Sequence, residues 1–303
     1  MVAKRRLIDN VFDSCNYFIL AVLSFICIYP FWYVLMASLS DPREPLTTLL
    51  VLPNAFTLFN YAEVLKMQGI PHAAFISVAR TVCGTVLSVS ATTFLAYVFT
   101  KDNLPAKKFL YRYFIITMYV SGGLIPTFLV YRAYGLRNSF LVYIVPGLVA
   151  VYNMILVKTY IENAIPPSLE ESAMLDGAGY FTVFIHIIFP LSIPIVATIS
   201  LFTAVGQWNS WMDNMIYMPP GDTRLTTLQY LLYQKLNEAS RLANAARSGA
   251  SIQEIEQMRA AMMLTPGSVR MTITMIVTLP IFLVYPFIQR YFMKGIMIGA
   301  VKG

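Results

Sequence analysis

Stretches free of Asp, Glu, Lys and Arg recur along the chain at about 14–39, 113–131, 139–157, 178–206 and 271–289. Another, at about 73–99, is interrupted by Arg80 alone. A helix needs about 20 mostly apolar residues to cross roughly 30 Å of hydrocarbon. The pattern therefore predicts an all-α, polytopic membrane protein with six transmembrane helices, preceded by a short segment over 1–13. The basic start MVAKRRLIDN mimics a signal peptide. The apolar run after it is too long for the core of one, and no small-residue cleavage site is evident.

The polar segments set an orientation. Lys4, Arg5 and Arg6, then Lys101, Lys107, Lys108 and Arg112, then Lys158, and finally Arg290, Lys294 and Lys302 fall on one side, whereas the short opposite loops hold Arg43, Lys66, Arg132 and Arg137. The positive-inside rule then makes the chain multi-pass with both termini cytoplasmic. Two connections stand apart. The stretch from Glu162 to Tyr180 carries Glu162, Glu170, Glu171 and Asp176 but no base, which predicts a basic partner outside the chain. The external stretch 207–270 repeats Leu225, Leu228, Leu231, Leu232, Leu236, Ala239 and Leu242 at helical spacing. Ser251 with Glu254 three residues on reads as a capping box for a second short helix ending before Pro266-Gly267, so a helical hairpin is expected there.

Composition narrows the function. The chain is 57% hydrophobic and 12% charged, with a mean hydropathy of +0.63, too few charges to clothe a water-soluble enzyme of this size. The net charge of +7 follows from the loop bases; no basic patch interleaved with aromatics speaks for nucleic acid. Cys15, Cys27 and Cys83 are odd in number and set in apolar runs, which supports neither a disulfide framework nor a metal site. His72 and His186 lack zinc spacing, and neither a GxxxxGK(S/T) phosphate loop nor an HExxH or GxSxG motif occurs. No catalytic residue, metal or cofactor is expected in this chain. Arg80 reads either as a side chain snorkelling to the outer interface or, more sharply, as part of an anion path. Pro30, Pro126, Pro146, Pro190, Pro194, Pro280 and Pro286 read as kinks inside spans.

The segment from Ile165 to Tyr180 is the most specific. Pro166-Pro167 stops any earlier helix, Ser168 with Glu171 reads as an N-cap pair opening a short one, and Gly177 and Gly179 end it. Leu169, Ala173 and either Met174 or Asp176 would share a stripe, an apolar ridge with acidic edges of the kind that docks in a partner's groove. Glu171-Ser172-Ala173, three residues, Gly177, nine residues, then Ile187-Ile188-Phe189-Pro190 resembles the E-A-A-x3-G-x9-I-x-L-P signature of ABC importer permeases, with Ser172 and Phe189 as mild departures. Asp176-Gly177-Ala178 is similar to the D-G-A of the sugar-importing branch.

The resemblance covers nearly the whole chain and implies the type I ABC importer permease fold of the smaller maltose permease (MalG-like), with a tail and long fifth loop like those of LplC/YtcP-type permeases. Several of that group are associated with oligosaccharides from plant or algal polysaccharides. It implies a heterodimer with a second permease subunit, two ATP-binding subunits that hold ATP and Mg, an extracellular solute-binding protein, membrane lipid around the helices and a carbohydrate substrate, in a prokaryotic cell membrane. Glu171, Ala173, Leu175, Asp176, Gly177, Ala178 and Pro190 would serve ATPase coupling, and the tail Gly299 to Gly303 would carry Lys302 toward the ATPases. The outer segment would dock the binding protein. Sugars are held by aromatic faces and neutral hydrogen-bonding groups, so Tyr119, Ser121, Tyr152, Asn153, Gln207, Trp208, Asn209 and Trp211 are candidates for the path. The alternative, a secondary transporter or channel, should show paired intramembrane ionisable groups, and the apolar stretches contain no such pair.

Overall fold

The computed structural model describes residues 7–44, 47, 49–67, 69–247 and 265–300. In chain order these form α1 (Leu7–Ser38), α2 (Phe59–Lys66), α3 (Ile70–Val98), α4 (Lys107–Tyr119) and α5 (Leu124–Ala133). Two 3-10 turns, Phe140–Tyr143 and Val145–Gly147, lead into α6 (Val151–Ala164) and α7 (Pro167–Leu175). Then come α8 (Tyr180–Val183), a π-helical turn (Phe184–Ile188), α9 (Phe189–Leu191), α10 (Ile193–Asn209), α11 (Met212–Tyr217), α12 (Leu228–Arg247) and α13 (Pro266–Ala300). Among the described residues there is no strand; a single bridge pairs Ser40 with Phe56.

Among the described residues two helices, Val11–Ser38 and Ile70–Val98, are long and apolar enough to cross a membrane. The bent pairs Phe140–Gly147 with Val151–Ala164 (45°) and Tyr180–Leu191 with Ile193–Asn209 (81°) raise the number to four if each is one span. Among the described residues, length and composition therefore yield two to four spans and do not by themselves give six uninterrupted helices. The stretch 113–131 is split, because Val120 turns extended and Gly123 takes φ +83, leaving α4 and α5 each too short. Prolines explain the remaining breaks. Pro146 and Pro194 sit at the second position of their elements and Pro126 at the third of α5, where a missing N–H costs nothing. Pro190 follows the π turn, in which the Phe189 N–H reaches back to Phe184 O. Pro30, Pro280 and Pro286 do lie within helices as expected.

The chain divides into two compact units. In the first (1–68 and 234–278), Asn60 is fully buried and its amide donates to Ser38 O (2.9 Å) and Ser40 O (2.7 Å), closing the turn after α1. Met36, Ala37 and Leu50 form a small core with Met271 against it. The expected helix at Ser251 and Glu254 lies outside the described residues. Pro266-Gly267 opens α13, in keeping with proline's preference for a first turn.

In the second unit (69–233 and 279–303), α3 packs against α10 and α6. Its core gathers Tyr97, Phe99, Met154, Val157, Ile188 and Ile199. Rings of Phe94, Tyr97 and Phe189 surround Phe184 at 5.3, 5.4 and 6.0 Å.

Candidate functional site

Two constellations in the second unit bear on function. The first is a cavity of about 490 Å³ walled by α3, the 3-10 turns, α6, α10 and α11. Its one guanidinium is Arg80, only 3% exposed. Arg80 Nε donates to Gln207 Oε1 (2.9 Å), Nη1 to Ser210 O (3.2 Å) and Asp213 Oδ1 (3.0 Å), and Nη2 to Asp213 Oδ2. The guanidinium carbon lies 4.4 Å from the centroid of the Tyr143 ring. Asn214 donates to the Tyr143 hydroxyl, which donates to Leu225 O (2.8 Å). Arg80 thus does not snorkel: a planar fork in low dielectric is held by a bidentate carboxylate and an aromatic face. The chain does contain a buried ion pair, formed between residues 133 apart in sequence.

Close approach makes this possible. Gly84 lies one helical turn beyond Arg80, and a Cβ there would sit 2.7 Å from Gln207 Nε2. Gly84→Ala is expected to leave the fold intact, since the displaced atoms are the tip of a flexible side chain, but to push Gln207 off Arg80. Thermal unfolding of the variant should show little change in melting temperature, while its structure should show the Arg80–Gln207 hydrogen bond broken.

Of the proposed path residues, the cavity receives Asn153 and Gln207. Asn153 is buried and donates a long 3.4 Å hydrogen bond to Thr203 Oγ1, leaving its amide largely available. Tyr119 (82% exposed), Ser121 and Tyr152 are exposed and do not line it. Trp208 is buried outside the lining, Asn209 accepts from Gln229 Nε2 (3.0 Å), and Trp211 stacks on Tyr233 at 4.2 Å. Sequence reading missed Asp213 and Tyr143. The available signal was that Asp213 is the lone acid between Asp176 and Asp222.

The second constellation is α7. Pro167 takes the first helical position and Pro166 the cap, so the helix starts a residue before Ser168 could cap it and no side-chain cap forms. Its end is a complete Schellman motif: Ala178 N–H donates to Ala173 O (3.0 Å), Gly177 N–H to Met174 O (3.0 Å), and Gly177 takes φ +85. Ala173 and Ala178 pack against the core of the unit, with Met174 half-buried beside them. The single stripe expected through Leu169 and Ala173 is thus divided. Glu170, Ala173 and Met174 face inward, while Ser168, Glu171, Ser172 and Leu175 (90% exposed) face out with Asp176.

The acids are divided in the same way. Glu162 pairs with Lys158 (2.6 Å) and Glu170 with Lys101, so two of the four acids find their bases elsewhere in this chain rather than on a partner. Tyr97 OH also donates to Glu170 (3.2 Å), and the Lys101 ammonium sits 3.9 Å from the Tyr97 ring centroid. Burial pulls Lys101 below the usual lysine range, against which the Glu170 carboxylate works. Glu171 and Asp176 have no ion-pair partner among the described residues and remain exposed. Pro190 lies in α9, and Lys302 lies outside the described residues.

Comparison with known proteins resolves the family. The chain is 35% identical over 297 residues to the polygalacturonan/rhamnogalacturonan transport system permease protein YtcP of Bacillus subtilis, covering 97% of this chain and 99% of that one. The chain belongs to the permeases of carbohydrate ABC transporters. Protein LplC of the same organism is 33% identical, over 97% of this chain and 96% of its own length. A solved bacterial ABC transporter involved in the import of the acidic polysaccharide alginate shares the fold, with a TM-score of 0.81 at 23% identity, over 96% of this chain and 100% of that one. No protein-family model matches the chain. As a member of this permease family the chain is a component of a membrane transport system, and its relatives are named as permeases rather than as enzymes.

Proposed function

We propose that this carbohydrate permease is one half of a heterodimeric ABC importer that moves an oligosaccharide across the cytoplasmic membrane by alternating access. In this reading the chain makes six passes with both termini cytoplasmic, the passes at 113–131, 139–157 and 178–206 being broken helices. Two partner subunits bind ATP and Mg and hydrolyse the ATP, and an extracellular binding protein delivers the sugar to the outer segment 207–270. YtcP's named substrates favour a pectin-type oligosaccharide. The cavity offers the amides of Asn153 and Gln207 to such a ligand, and its one ion pair is already closed on itself.

The observation that carries the coupling half of this reading is the outward face of α7. Leu175 and Leu169 are exposed on a helix whose inner face is anchored, and Glu171 and Asp176 are charged there with no pair of their own among the described residues. An exposed apolar knob with an acidic rim is the form of an amphipathic helix that enters a basic-edged groove. Glu171→Ala is expected to weaken retention of the ATP-binding subunits, as loss of one partner of an interfacial charge pair costs about 2 to 5 kcal/mol. Copurification of the ATP-binding subunits with tagged permease, titrated with salt, measures it. Unchanged retention at every salt concentration rejects α7 as the docking element.

A further inference from the structure

If α7 is where the ATPases push, the push must reach the cavity, and the chain offers three routes. Through α8 and α10 it passes the glycine-bearing turn at Gly177, then the π turn, then an 81° bend at Ser192. Through α6 it must first cross Ile165 and Pro166, both extended, where the ladders of α7 and α6 are not joined, and beyond Asn153 it meets the 45° break ahead of Val151. Each is a place where the helical ladder changes register or direction, and a load arriving there is absorbed by rotation. The third route is α3. It runs unbroken for 29 residues, about 43 Å at 1.5 Å per residue, with its only proline in the first turn.

α3 is fastened by charge at two points along its length. At one end Lys101, just past the helix, holds Glu170 of α7, and Tyr97 donates to the same carboxylate. About 31 Å away along the axis, 21 residues back, Arg80 holds Asp213 and Gln207 in the cavity wall. Between them Ser88 Oγ donates to Gly147 O (2.8 Å), and Thr92 Oγ1 accepts from Ala150 N–H (3.2 Å), both on the cavity-side turns.

We propose that α3 is the strut that carries motion of α7 to the cavity, with Lys101, Tyr97 and Glu170 as the joint at its loaded end. Lys101 and Glu170 are positioning residues: they touch neither substrate nor nucleotide but fix the angle at which α7 meets α3. The inference rests on the reading of α7 as the docking element.

The test uses the full transporter in liposomes, comparing Lys101→Met, Glu170→Gln, the swap Lys101→Glu with Glu170→Lys, Tyr97→Phe, and Glu171→Ala. The strut predicts that each single charge removal raises the ATP hydrolysed per sugar imported by about tenfold, with ATPase retention unchanged, and that the swap recovers most of the loss. Tyr97→Phe keeps the ring against Phe184 and should raise the ratio by about two- to threefold. Should the charge variants fail to assemble, the swap and Tyr97→Phe still decide. Wild-type ratios in the joint variants while Glu171→Ala sheds the ATPases would overturn the strut alone. Retention unaffected in Glu171→Ala would remove the docking reading on which it stands.

Discussion

Replacing Arg80 by methionine is expected to lower the stability of the assembled permease by about 3 kcal/mol. The guanidinium is almost fully buried and answers the Asp213 carboxylate, the Gln207 amide oxygen and the Ser210 carbonyl at once. Its loss strands a carboxylate that is itself only one-fifth exposed, and breaking a buried pair from one side costs about 3 to 5 kcal/mol. The lower end applies because water reaches Asp213 from the cavity. Removing both charges is a different matter, since a buried pair exchanged for apolar groups of similar volume is often neutral. Arg80→Met with Asp213→Leu should therefore recover most of the thermal stability lost in the single variant. Equal and additive losses from the two changes would show that Arg80 and Asp213 are not coupled.

The second large effect is expected at Gly177. The Schellman turn requires φ +85 there, and the position of a Cβ is open space, so a side chain would meet backbone strain rather than a clash. A left-handed L-residue costs about 1 to 2 kcal/mol, and a β-branched one is worse. Gly177→Val should leave an assembled complex whose ATPases turn over while sugar uptake falls by about tenfold or more, because the turn joining α7 to α8 no longer holds one geometry. Asparagine tolerates this region several-fold better than most residues, so Gly177→Asn should keep much of the uptake. Loss of transport equal in both variants would trace the defect to the glycine's small size instead of its conformation.

Legibility in the sequence followed how local the cause was. The apolar runs of α1 and α3 are local, and so is Gly177 as a helix stop; each could be read from a few consecutive residues. The start of α7 was misread because two local signals competed there, and Pro167 at the first helical position outweighed Ser168 as a cap. Arg80 was misread because its partner is 133 residues away and outside any apolar stretch. The same holds for Glu170 and Lys101, 69 residues apart, whose pairing converts a run of acids into one inward and one outward set. Asn153 and Gln207 fall in the cavity wall, where a neutral amide among apolar neighbours finds a partner, whereas nothing local in the sequence separates them from Tyr119, Tyr152 and Trp211, which do not line it.

Where α4 gives way to α5, the chain between Val120 and Gly123 leaves the helical ladder. Amides released from a helix cannot border alkane, because each would forfeit several kcal/mol of solvation with nothing in return. With 113–131 as a pass, as proposed above, this rim must be wetted or roofed by another polypeptide, which would keep the bare flanks of Tyr119, Val120, Leu124 and Ile125 out of the lipid annulus. Annular lipids belong instead against unbroken helices such as α1, whose exposed Phe18, Phe25 and Ile28 lie along a continuous ladder.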